Sequence, residues 1–320
     1  MKVSVIIRTY NRAYIVAEAI ESALKQTYGD YEVLVVDDGS TDNTPEVVQA
    51  FQDPKLRYIR HERNQGVGAA CNTGVLHAQG EFIAFLDSDD LWKPEKLERQ
   101  VACMVRHPEV DAVFSDIEII DDTATIPSLI ATMKSFSKLL AKDRKQQEYV
   151  FSARQLYLCL LEEVPIKPTV LFVKREIFKK VGFFDLTALG CEDWEFLLRL
   201  AYVACFGYVD APLAIQRRTP DAIHRKYWQQ DRAFLISLFR REKVALKEDH
   251  EAIAAVNRGI SLHCTNLAGS YLTSGLKAKS LSVYLRGFKE TGEPIMLLRA
   301  ASTMLPTRLN ALLKRVVGKA

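Results

Sequence analysis

The sequence predicts an α/β protein: a mostly parallel sheet with helices on both faces, followed by a helical region. Two observations carry this. The first hundred residues alternate between short, continuously apolar runs and amphipathic helical stretches, the pattern of buried parallel strands joined by crossover helices. From about residue 225 onward the helical pattern is almost unbroken, without repeats or low-complexity segments. In order, residues 3–7 read as a strand, 15–26 as an amphipathic helix, and 32–36 as a second buried strand. That strand runs into the polar turn Asp37-Asp38-Gly39-Ser40-Thr41-Asp42. Residues 44–51 read as helix, 56–59 as strand, 72–78 as part of a helix, and 81–86 as a strand ending at Asp87. Residues 123–163 are less regular and predict a loop and a helix over the crevice; 167–173 read as strand and 192–203 as helix. The expected domains are 1–224 and 225–320.

Bulk properties narrow the function. A net charge of +3 over 320 residues is not that of a nucleic-acid binder. The tail is different: no acid follows Glu293, whereas Arg299, Arg308, Lys314, Arg315 and Lys319 do, which points to an anionic surface or partner. The six cysteines are scattered with no C-x-x-C pair and no zinc-like spacing, as in a protein with reduced thiols in the cytoplasm. Residues Met1-Lys2 run directly into the first strand, without a secretory pattern, and no run of 18 apolar residues occurs. The expected location is therefore cytoplasmic, peripheral at the inner face of the membrane if the substrate is there.

Polar clusters sit where the strands end: Thr9-Tyr10-Asn11, Asp37-Asp38 and Asp87-Ser88-Asp89-Asp90. Ligands of open α/β sheets bind beyond the carboxyl ends of the strands, so these clusters are expected to converge on one crevice. Asp87, Asp89 and Asp90 place three carboxylates in four positions. Their repulsion is ordinarily relieved by a divalent cation, and hard oxygen ligands suit Mn²⁺ or Mg²⁺. A helix cap at Asp90 is the plainer reading, but it leaves Asp87 and Asp89 without a purpose. Asp37-Asp38-Gly39 supports two readings, a capped turn or a carboxylate that meets a base or ribose. Glu192-Asp193-Trp194-Glu195 opens a helix, where acids are favoured by the helix dipole and where a general base would also be rigidly mounted.

Taken in order, several blocks resemble the family 2 glycosyltransferases with the GT-A, Rossmann-like fold. They are Val3-Ser4-Val5-Ile6-Ile7-Arg8-Thr9-Tyr10-Asn11-Arg12, Val35-Val36-Asp37-Asp38-Gly39-Ser40-Thr41-Asp42, Asn64-Gln65-Gly66 with Asn72-Thr73-Gly74, Asp87-Ser88-Asp89-Asp90, and Val181-Gly182-Phe183-Phe184-Asp185 with Glu192-Asp193-Trp194. The resemblance implies inverting transfer of a sugar from a nucleotide diphosphate-sugar, a UDP-sugar first, to a hydroxyl of a saccharide, glycolipid or protein acceptor. It also implies a role in cell-surface polysaccharide or glycolipid synthesis. Thr9, Tyr10 and Asn11 would line the base and ribose pocket, and Asp38, beside Asp37, would contact the base. Asp87 and Asp89 would hold the diphosphate side and the cation, with Asp90 as an additional ligand. Asn64, Gly66, Asn72 and Arg217 complete the implied nucleotide-binding set. Asp193 matches the base that activates the acceptor, supported by Glu192. Two departures stand out: relatives often carry Arg where this chain has Cys71, and Gln216 and Thr219 replace the Tyr and His of a Tyr-Arg-x-His stretch. His224 is a candidate substitute for that histidine.

Gly66-Val67-Gly68 begins a dinucleotide-like pattern but lies outside the first strand–helix turn, and no P-loop occurs. The remaining alternative is a sugar-nucleotide-binding scaffold without catalysis. In the tail, Leu309, Leu312, Leu313, Val316 and Val317 fall on one helical face among the cationic residues. This supports either a helix docked on the protein or weak binding to an anionic membrane.

Overall fold

The computed structural model describes residues 1–121, 124–140, 146–188, 190–218 and 227–304. The chain divides into two units, Met1–Ile223 and His224–Ala320. In the first, β1 (Val3–Thr9), α1 (Val16–Leu24), β2 (Tyr31–Asp37), α2 (Thr44–Gln49), β3 (Leu56–Arg60), α3 (Val67–His77) and β4 (Phe82–Asp87) follow one another. Next come β5 (Leu91–Trp92), α4 (Lys96–Arg106), β6 (Ala112–Ile120), β7 (Thr125–Ile126), α5 (Lys134–Leu140), β8 (Glu148–Phe151) and α6 (Ala153–Leu160). The unit continues with β9 (Phe172–Lys174), α7 (Phe178–Val181), α8 (Glu192–Val203) and β10 (Phe206–Arg217).

All ten strands form one sheet in the order β3-β2-β1-β4-β9-β6-β10-β5, with β7 on β6 and β8 on β10. β3, β2, β1 and β4 run parallel. Every residue of β2 is buried, as expected of a parallel strand covered on both faces. β9 is antiparallel between β4 and β6, and β6 and β10 are parallel again. Because β2 and β4 flank β1 on opposite sides, the chain reverses its lateral direction there. The carboxyl ends of these strands border the crevice at that switch point.

Several elements differ from expectation. α3 starts at Val67, ahead of the expected 72–78, because Gly68 and Gly74 obscure its periodicity. Gly74 is required by packing: a Cβ there would lie 2.4 Å from Ile6 Cγ2 on β1. The expected strand at 167–173 is instead a 3₁₀ turn, Pro168–Val170, followed by the short β9. Proline has a fixed φ and no N–H for a ladder. The irregular 123–163 stretch contains α5, β8 and α6 within its described residues, and α6 begins with a Ser152–Gln155 capping box.

The second unit contains α9 (Trp228–Ala245), α10 (His250–Thr273), α11 (Lys277–Thr291) and α12 (Pro294–Met304). Asp249 caps α10 by accepting the Ala252 N–H at 3.1 Å. Leu235, Phe239, Val256, Ile260, Cys264, Tyr284 and Met296 are buried. Among the described residues, no helix is long and apolar enough to cross a membrane. His224, Thr219 and the tail stretch 309–317 lie outside the described residues.

Candidate active site

The loop after β1 and the turn after β2 are laced together. Asn11, at φ +51, lies in the left-handed region that asparagine tolerates better than most residues. Its Oδ1 accepts the Thr41 N–H at 2.7 Å, and its own N–H donates to Ser40 Oγ at 2.9 Å. Buried Asp37 accepts the Ser40 N–H at 2.8 Å and the Tyr58 hydroxyl at 2.5 Å. Asp38 accepts the N–H groups of Gln65 and Gly66 at 2.9 and 2.8 Å and meets His61 Nδ1 at 2.7 Å. Asp38 thereby fastens the Asn64-Gln65-Gly66 loop, at the start of α3, to the end of β2. Gly39 lets that loop close in, since a Cβ there would lie 2.6 Å from the Arg63 carbonyl carbon. Thr9 Oγ1 is buried without a hydrogen-bond partner among the described residues, and Tyr10 is exposed.

The acidic cluster follows β4. One oxygen from each of Asp87, Asp89 and Asp90 lies within 4.8 Å of the others, a donor set of hard oxygens that fits Mn²⁺ or Mg²⁺. Burial drives the Asp87 carboxyl above its ordinary range; Arg8 opposes the shift, and Asp89 and Asp193 add to it. Burial also raises Asp90 strongly, with Asp87 and Asp89 contributing. Asp90 accepts the Thr169 hydroxyl and, at 3.1 Å, the Arg217 N–H. Arg12 Nη2 lies 3.8 Å from Asp89 Oδ2. Arg217 donates through Nε to the Asp89 carbonyl at 2.5 Å and through Nη1 to Glu18 at 2.6 Å. Its Nη2 is buried with no hydrogen-bond partner among the described residues.

Sequence reasoning did not single out Arg8. It pairs in register with Asp87 on the adjacent parallel strand, and its Nη2 lies 2.7 Å from Asp87 Oδ1. Its Nη1 donates to Cys71 Sγ at 3.2 Å. The basic group expected beside Asn72 thus comes from β1 rather than α3. The available signal was a lone arginine in an otherwise apolar strand. His61, with Nδ1 on Asp38 and Nε2 2.9 Å from Thr73 Oγ1, had no comparable signal.

α8 carries the acceptor-side acids. Asn72 fixes the preceding segment: its Nδ2 donates to the Phe184 carbonyl at 3.0 Å and its Oδ1 accepts the Phe184 N–H at 2.9 Å. Phe184 stacks on Phe196 of α8 at 4.4 Å and meets Phe85 of β4 edge-on at 5.5 Å. This aromatic column sets the start of α8 against the end of β4. Glu192 is buried, and its carboxyl is pushed up to about 7, by burial first and then by Asp193, while Arg8 counteracts. Asp193 Oδ1 accepts the Trp194 N–H at 2.7 Å. Asp193 also lines a shallow depression with Pro168, Leu171, Phe184, Phe196 and Leu197. The two acidic groups are close enough for Asp87 to perturb Glu192 and for Asp193 to perturb Asp87.

The structure therefore brings Asp87, Asp89, Asp90, Glu192, Asp193 and Arg217 to one region beyond β1 and β4. Asp37, Asp38, Asn64 and Gly66 form a braced rim after β2. The Asn72 amide belongs to the clamp on Phe184.

Comparison with known proteins gives this geometry a family. The family model for Glycosyl transferase family 2 matches residues 4–182. The Escherichia coli UDP-Glc:alpha-D-GlcNAc-diphosphoundecaprenol beta-1,3-glucosyltransferase WfgD is 39% identical over 139 residues, covering 43% of this chain and 54% of that protein. An uncharacterized glycosyltransferase of Rickettsia prowazekii is 30% identical over 254 residues, covering 77% of this chain and 75% of that one. The alignment with WfgD thus spans only about half of that enzyme's length. Staphylococcus aureus TarS in complex with UDP-GlcNAc superposes with a TM-score of 0.64 at 20% identity, covering 99% of this chain and 88% of that one. The expected GT-A fold is the fold observed. With the family model covering more than half of its residues, the chain belongs to glycosyl transferase family 2.

Proposed function

We propose that this protein transfers a sugar from a UDP-sugar to a hydroxyl of a lipid-linked saccharide, with inversion, in the synthesis of a cell-surface glycan. The observation that carries the proposal is the meeting of two carboxylate groups, Asp87-Ser88-Asp89-Asp90 after β4 and Glu192-Asp193 at the start of α8. WfgD supports the choice of substrates, because its name specifies a UDP-Glc donor and a sugar–diphosphoundecaprenol acceptor. The UDP-GlcNAc bound to TarS supports the choice of nucleotide.

Asp87 and Asp89, backed by Asp90, are assigned to Mn²⁺ or Mg²⁺, which when bound supplies charge to stabilise the departing diphosphate. A Mn²⁺ complex of the Pyrobaculum calidifontis mannosyltransferase PcManGT, at TM-score 0.52 and 21% identity, accompanies a GDP-Man donor. Thr9, Tyr10 and Asn11 line the nucleoside side with Asp37 and Asp38. The Arg217 Nη2 group is assigned to a diphosphate oxygen. Asp193 takes the proton of the acceptor hydroxyl as that oxygen attacks the anomeric carbon opposite the diphosphate. The carbon–oxygen bond to the diphosphate breaks, and UDP leaves. Glu192, buried and next to Asp193 in sequence, is assigned a supporting role.

The test combines UDP-glucose, a GlcNAc-diphosphate lipid and Mn²⁺ with the full chain. UDP release is expected to depend on the acceptor. Asp193→Asn is expected to keep donor affinity and to lower turnover by roughly 10²–10⁴-fold. Tight UDP-sugar binding without acceptor-dependent release from the wild type would favour the non-catalytic scaffold reading instead.

A further inference from the structure

A second set of ligand-type side chains lies on α4 and β8, and the proposed transfer uses none of them. Cys103 lies in the last turn of α4, and His107, just past its end, donates its backbone N–H to the Cys103 carbonyl at 3.0 Å. The two side chains are therefore stacked one helical turn apart. Glu148 opens β8. One ligand atom from each of Cys103, His107 and Glu148 lies within 4.8 Å of the other two, and His107 Nε2 is 3.4 Å from Glu148 Oε2.

Three further features shape this cluster. The other imidazole nitrogen, His107 Nδ1, lies 3.8 Å from Glu109 Oε1. That separation is too long for a hydrogen bond, so Glu109 contributes negative charge behind the imidazole without fixing its orientation. Cys103 Sγ lies over Gly207 of β10, where a Cβ would come within 2.9 Å of the sulfur, so the sheet leaves room for the larger atom. Arg106 grips Glu148 as a two-pronged ion pair, through Nη2 and, at 3.0 Å, through Nε. That grip fixes the carboxylate while each of its oxygens retains acceptor capacity.

We propose that Cys103, His107 and Glu148 bind a Zn²⁺ ion, completed by water. Sulfur, imidazole and carboxylate donors together select zinc over the hard cations suited to the all-oxygen cluster at Asp87, so the two sites are distinct. Ligand atoms around tetrahedral zinc lie about 3.3–3.8 Å apart, so modest side-chain rotations close the set. Binding exchanges the Cys103 S–H bond for S–Zn and releases that proton to solvent, while His107 coordinates as the neutral imidazole. With the thiolate formed, Cys103, Glu109 and Glu148 outweigh Arg106 by two negative charges, which the ion neutralises. The ion ties the end of α4 to the edge strand β8.

Cobalt provides the test. Full-length protein stripped with EDTA and desalted is titrated with Co²⁺, and a thiolate-to-cobalt charge-transfer band is expected, saturating at one equivalent and displaced by Zn²⁺. The band is expected to vanish in Cys103→Ser. His107→Gln, at a part-exposed position, is expected to weaken zinc binding by about tenfold or more in competition with a chromophoric chelator. A band that survives in folded Cys103→Ser assigns the thiolate elsewhere, with Cys71 the first suspect, and overturns the proposal. So does the absence of any band from the wild type, or equal zinc affinity in wild type and His107→Gln. Should Cys103→Ser misfold, His107→Gln alone decides. No readout depends on glycosyl transfer.

Discussion

Asp87, Asp89 and Asp90 sit within one coordination sphere of one another, and their repulsion governs how the site takes up a nucleotide. A cation held only by such a cluster is loosely bound until a diphosphate shares it. UDP affinity measured by calorimetry is therefore expected to require Mn²⁺ or Mg²⁺ and to disappear in Asp89→Ala; equal affinity in EDTA would remove the cation from the scheme. Glu192 adds a pH dependence. Its folded-state carboxyl titrates near 7 against an ordinary value of 4.5, so between those values the folded chain holds a proton that the unfolded chain has lost. Stability from this group therefore falls as pH rises from about 4.5 to 7. In metal-free buffer, Glu192→Gln is expected to raise the melting temperature above that of the wild type at pH 8, with the gap closing near pH 4.5. A gap of the same size at both pH values would show that ionisation is not involved. The grouping of Asp87, Asp89 and Asp90 was legible from sequence because three carboxylates in four positions at a strand end stand out, whereas Glu192 and Asp193 were given a catalytic role only through the family resemblance. Arg8 was not legible, since its meaning depends on Asp87, which reaches it only through sheet pairing.

At the scale of elements, sequence reading succeeded where the pattern was local and failed where packing decided. The strands β1, β2 and β4 were readable as apolar runs. The periodicity of α3 was obscured by two glycines set by packing rather than helix propensity: Gly74 lies against Ile6 of β1, and Gly68 faces the Phe184–Leu186 segment. The Gly74 contact is testable. Gly74→Ala would push its new methyl into Ile6, and overpacking of this kind costs about 1–3 kcal/mol. The denaturation midpoint is expected to drop, and Ile6→Ala, which removes Cγ2, is expected to cost less in the Gly74→Ala chain than it does alone. Additive losses in the double variant would refute the packing account. β10 escaped notice because Pro212 divides it. Its register against β6 shifts on both sides of that residue, so the strand's pattern is interrupted in the middle. Proline within a sheet is accommodated at such irregularities.

For the whole molecule, the acid-free tail after Glu293 bears on where the enzyme meets its acceptor. Each basic residue near an anionic bilayer contributes on the order of 1 kcal/mol, and salt screens the attraction. The full chain is therefore expected to co-sediment with anionic vesicles at low salt and to be released as salt rises. A version ending at Leu305 is expected to remain in the supernatant, and equal recovery of both would exclude the tail as an anchor. A different consequence follows from the pairing of Arg8 with Asp87 and Cys71. One guanidinium fills the space between β1, α3 and β4, and it can enter from the strand or from the helix, but a second would meet the first. Cys71→Arg is therefore expected to be tolerated better in an Arg8→Val background than alone, a coupling that denaturation of the single and double variants would read.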